Sequence, residues 1–118
     1  MRAIILAMLA VTTTAAMADD TDDAHRLAVS GRDAYWNCLA REYPRENNRN
    51  MSEQGFGALI AAACSSERQN FRIALVDYLG LQFPDKDAGA NMTTANNAIA
   101  LAQKDIVAAF ARRKAAAK

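Results

Sequence analysis

Two cysteines, Cys38 and Cys64, stand 26 positions apart, and both fall on the apolar side of segments with a helical repeat. What such a pair does depends on the compartment, and the first residues speak to that. Met1-Arg2 is a short positive start, Ala3 to Val11 is an unbroken apolar run, and Ala16-Met17-Ala18 has the small-x-small form of a leader cleavage site. Residues 1–18 therefore read as a secretory signal peptide. Their apolar run is about half of the roughly 20 residues that a membrane span needs. No cysteine follows the cleavage site to carry a lipid, so no membrane anchor is expected once the leader is removed.

A periplasmic or secreted chain works in an oxidising compartment, where an even pair of cysteines reads as a disulfide. The chain-entropy model assigns a bridge across this loop about 3.5 kcal/mol. A domain of this size has only about 5–15 kcal/mol in total, so the bridge is expected to be a main stabiliser. The redox alternative matches less well. Thiol oxidoreductases carry Cys-x-x-Cys at a helix start, whereas these two cysteines lie far apart on helical segments.

The 118 residues hold only two prolines and five glycines, and 52% are hydrophobic. That excludes a disordered chain and leaves little room for a turn-rich β fold. Fourteen Lys and Arg against 13 Asp and Glu exclude a dedicated nucleic-acid binder. Residues 19–118 are expected to form a single all-α domain, a disulfide-pinned helical hairpin covered by a third helix.

The three helices are expected at about 22–42, 53–79 and 93–115. The first starts after Thr21, with Asp22 and Asp23 in its first turn, and carries a stripe of Ala24, Leu27, Ala28, Gly31, Ala34, Tyr35, Cys38 and Leu39. Pro44 stops it, and residues 43–52 form a polar loop. The second is capped by Ser52 and ends at Gly80, with Gly55 and Gly57 in an irregular first turn. Its stripe holds Phe56, Ile60, Ala63, Cys64, Phe71, Ala74, Leu75 and Tyr78. Leu81 and Phe83 are expected to tuck under the bundle. The third helix starts near Thr93 or Thr94, buries Ala95, Ala98, Ile99, Ala102, Ile106, Ala109 and Phe110, and ends in the basic run after Arg112.

No catalytic, cofactor-binding or metal-binding residue is expected. His25 is the only histidine and has no second group beside it except the helix-start acids Asp22 and Asp23. Asp85-Lys-Asp87-Ala-Gly89 departs from a calcium loop at the positions that need Gly and Glu. No phosphate-binding glycine loop and no nucleophile elbow is present. Arg41, Arg45 and Arg49 alternate with Glu42 and Glu46, which reads as a solvated loop. After leader removal only Met51 and Met92 remain of five methionines, too few for a soft-metal site. One feature is less neutral. Trp36 and Val29 fall off the main stripe of the first helix, and Ile73 and Val76 fall off that of the second. Either they contact the third helix or, left uncovered, they are the candidate surface for an unknown protein partner or a homodimer.

Trp36-Asn-Cys38, with Leu59-Ile-Ala-Ala-Ala-Cys64 and Glu67, resembles a loose group of small exported bacterial helical proteins with a Cys-pinned hairpin. That resemblance implies fold and compartment and no site residues. Trp36-Asn-Cys38 and Cys64-Ser-Ser-Glu-Arg-Gln-Asn-Phe71 are also similar to the segments around the two cysteines of HdeA-type periplasmic acid-stress chaperones. This chain departs from that family in the shorter stretch between its cysteines and in its long Ala-rich third helix. The leading expectation is a non-enzymatic exported protein acting through protein binding. The alternative is an acid-activated holdase.

Overall fold

A computed structural model describes the backbone of residues 12–117 and the side chains of residues 19–117. The described chain is all helical, with four α-helices rather than three: α1 (Thr12–Ala40), α2 (Glu53–Ala62), α3 (Ser65–Gln82) and α4 (Ala88–Ala116). Residues 1–11 of the leader expected at 1–18 lie outside the described residues. The helix nevertheless continues from Thr12 through Ala18 into the domain. Asp22 and Asp23 are thus interior to α1 and not at its start. Removal of a leader at Ala18 would shorten the helix and return these acids to its first turns, where the dipole favours them.

The helix expected at 53–79 is broken in two, and the break falls at a cysteine. Ala63 is extended at ψ 155° and Cys64 is left-handed at φ 57°, ψ 45°. A left-handed non-glycine residue costs about 1–2 kcal/mol, so its surroundings must hold it there. Cys64 is bonded to Cys38, with S–S 2.02 Å and Cα–Cα 6.2 Å. The Arg68 guanidinium also donates to the carbonyls of Ala61 (2.6 Å) and Ala63 (3.4 Å), groups that the end of α2 leaves without helical partners. Gly55 and Gly57 lie in regular helix, because the Ser52 hydroxyl accepts from the Gly55 amide at 3.0 Å and starts α2 cleanly. Gly80 does not end α3. The helix runs on to Gln82 and stops before Pro84, which cannot continue it. α4 begins earlier than Thr93, at Ala88, because the Asp87 carboxylate caps it by accepting from Ala90 N at 2.7 Å. The calcium-like stretch is therefore a helix cap.

α1 and α3 run antiparallel and form the main packing pair, while α4 lies across α2 and α3. The core joins Tyr35 and Leu39 of α1, Phe56 and Ile60 of α2, Phe71 of α3, and Ile99, Ala102, Ile106 and Phe110 of α4. Phe56 and Phe110 stack with centroids 4.0 Å apart and planes 14° apart. The Gln103 amide donates to the buried Tyr35 hydroxyl at 3.0 Å, joining α4 to α1. Two expected core groups are not buried. Leu27 is 64% exposed and Ala34 is exposed, while Leu81 and Phe83 stand out from the bundle at its open end.

Candidate functional site

Two of the exposed large apolar side chains, Leu27 and Leu81, share one groove. Toward the α1–α3 end remote from the disulfide, a shallow groove of about 540 Å³ runs between the two helices. Small residues, Ala24 of α1 with Ala74 and Gly80 of α3, line it beside the larger Leu27, Val76 and Leu81. Leu27 is the most exposed large apolar residue among those described, and Leu81 is 46% exposed.

The rim of this groove is acidic. Asp20, Asp23 and Asp77 all line it. Asp23 pairs with Arg26 one turn along α1. Asp20 and Asp77 form no ion pair among the described residues. Two mirrored spacings build the site: Asp20, Asp23 and Leu27 on α1, and Ala74, Asp77 and Leu81 on α3. Each set occupies positions i, i+3 and i+7, one face of a helix. That repeat is present in the sequence, but the stripe of the first helix places Leu27 in the core, the helix start accounts for Asp23, and Asp20 and Asp77 have no role in that reading. A large apolar residue with a carboxylate at i−4, Asp23 before Leu27 and Asp77 before Leu81, was the signal available.

The four residues expected to form a partner surface are distributed differently. Val76 lines the groove. Ile73 stands on α3 at 51% exposure, and Trp36 on α1 at 38%. Val29 is half-buried in a separate shallow depression on α1 with His25, Ser30, Asp33 and Asn37. His25 packs edge-on against Tyr78 of α3, with ring centroids 5.0 Å apart.

Cys38, Cys64 and Glu67 lie close enough together to suggest metal ligands, with their ligand atoms within 4.8 Å of one another. The sulfurs are joined, however, and a disulfide offers no thiolate to a cation. The disulfide is compatible with an oxidising, exported location. No helix among the described residues is long and apolar enough to cross a membrane. The chain matches no protein-family model, no curated protein and no solved structure.

Proposed function

We propose that this is an exported, non-enzymatic helical protein that acts by binding another protein, with the α1–α3 groove as its docking surface. The observation that carries this reading is the coincidence of Leu27, Val76 and Leu81 with Asp20, Asp23 and Asp77 along one groove. Single exposed apolar residues are ordinary on a protein surface; the reading rests on Leu27 and Leu81 sharing one groove with an acidic rim. Its chemistry selects the occupant. An amphipathic helix with one or two leucine-like anchors, flanked by Lys or Arg, would fill the floor and neutralise the rim. The groove is too small for a whole helix face, so recognition is expected through few anchors and modest affinity.

A titration of the oxidised chain from Asp19 onward with an amphipathic Leu/Lys helical peptide, followed by methyl NMR, tests this. The methyls of Leu27, Val76 and Leu81 should shift, and the double variant Leu27→Asp, Leu81→Asp should abolish the response. Equal binding of a Leu/Glu peptide, or shifts confined to other methyls, would overturn the reading.

An acid-activated holdase is the second reading. It draws on the same rim, since acid discharges carboxylates and would leave the apolar floor without its charged border. Its signature is suppression of client aggregation at about pH 3 but not at neutral pH, below the carboxylate range near 4. Solution mass across that range separates the two. A neutral-pH dimer that dissociates in acid supports the holdase, and a monomer throughout opposes it.

A further inference from the structure

At the opposite end of the bundle, a cavity of about 710 Å³ opens between the loop after α1 and the last turns of α4. Tyr43 and Phe110 supply its aromatic wall, and Phe110 is held in place by its stack on Phe56. Four cations stand around it, Arg45, Arg49, Arg113 and Lys114, against the single carboxylate of Glu46. They come from segments far apart in sequence, which is why the loop alone reads as balanced. Lys114 is fixed in position, donating to the Met51 carbonyl at 2.6 Å and lying 5.8 Å from the Phe110 ring centre. Arg45 is drawn toward Glu42 at 3.5 Å. Among the described residues the guanidiniums of Arg49 and Arg113 make no ion pair or side-chain hydrogen bond.

The loop that presents Arg49 is anchored. The buried Asn48 side chain donates to the Glu42 carbonyl at 2.8 Å, and a 3-10 turn (Glu46–Asn48) precedes Arg49. The carboxyl end of α4 offsets part of the positive charge of Arg113 and Lys114. Arg49 and Arg113, whose guanidiniums have no such partner, nevertheless line one cavity, and a planar guanidinium donates two parallel hydrogen bonds to a phosphate group better than any other side chain. The volume lies within the roughly 300–1,000 Å³ of small-ligand sites.

We propose that this cavity binds a phosphate ester. Arg49 and Arg113 take the phosphate, Lys114 and Arg45 add charge, and the organic part lies against the half-buried Tyr43. The site is independent of the groove and stands whether or not that reading holds. The phosphate can belong to a free ester or to a lipid headgroup.

Two probes separate these sources: phenyl phosphate in calorimetric titration, and phosphatidylcholine vesicles doped with phosphatidylglycerol in a flotation assay. Each is applied to the oxidised chain from Asp19 onward, to Arg49→Ala with Arg113→Ala, and to a comparison pair, Arg26→Ala with Arg32→Ala, on exposed α1. Circular dichroism melts confirm that all three fold. Loss of two charge-assisted contacts should weaken binding by about tenfold or more in the cavity pair, with the comparison pair near the parent. Such a loss with phenyl phosphate assigns the free ester, and such a loss with vesicles alone assigns the headgroup. Failure of both probes to bind, or an equal loss in the comparison pair, overturns the proposal.

Discussion

A Cβ placed on Gly31 of α1 would lie 3.1 Å from the Cα of Phe71 on α3, so the two helices touch backbone to backbone at this point. The contact lies between the disulfide and the groove on the main antiparallel pair. Phe71 is buried there, with its ring 6.4 Å from that of Tyr35. A flexible side chain could yield to an added methyl, but a helix backbone cannot yield without moving α3.

Gly31→Ala is therefore expected to destabilise the fold, although alanine gains about 1 kcal/mol of helix propensity over glycine. A net loss of about 1–2 kcal/mol in urea unfolding is the expected outcome. Gly80→Ala is the contrasting case. It lies within α3, nothing stands within 4 Å of its added Cβ, and a gain of about 0.5–1 kcal/mol is expected. If both variants move stability in the same direction, the close approach at Gly31 is wrong.

Loss of the disulfide should act on the α2–α3 junction as well as on the unfolded chain. Cys38→Ser with Cys64→Ser is expected to cost about 3.5 kcal/mol in chemical unfolding. Without the bond nothing covalent holds residue 64 left-handed, and α2 and α3 gain a route to one continuous helix. A rise in helical circular dichroism before the unfolding transition would report that rearrangement.

Phe110→Ala removes a buried ring that stacks on Phe56 and walls the cationic cavity. A loss of about 3–5 kcal/mol is expected from the cavity left in the core. The smaller Phe110→Leu should fold and is the variant to carry into binding work. Its melting temperature should lie between those of the parent and Phe110→Ala.

Leu27→Asp tests burial as distinct from binding. Had Leu27 belonged to the core, as its place on the first helical stripe implied, the substitution would cost several kcal/mol. With Leu27 at 64% exposure the expected loss is below about 1 kcal/mol. Thermal melting of this single variant decides between the two.

The local elements were largely legible from residue order. The α4 stripe from Ala95 to Phe110 follows the helical repeat, and its buried set matches that reading closely. The Ser52 cap is where a serine before a helical run predicts it, and a chain with only two cysteines has one way to pair them. These features depend on neighbours within a few residues, so a linear pattern can carry them.

What the pattern did not carry was decided by contacts between distant segments. No Gly or Pro marks the break at Ala63 and Cys64. It appears where Cys38 holds Cys64 and Arg68 satisfies the free carbonyls, a balance that helix propensity alone does not describe. Leu27 has the periodicity of a core residue yet stands 64% exposed at the groove that it lines together with Ala74 and Gly80 of α3. Arg49 and Arg113 lie 64 positions apart, and only the docking of α4 beside the first loop brings them to one cavity. Periodicity specifies which face of a helix is apolar. Whether that face is covered, and which charges converge beside it, depends on how the helices pack.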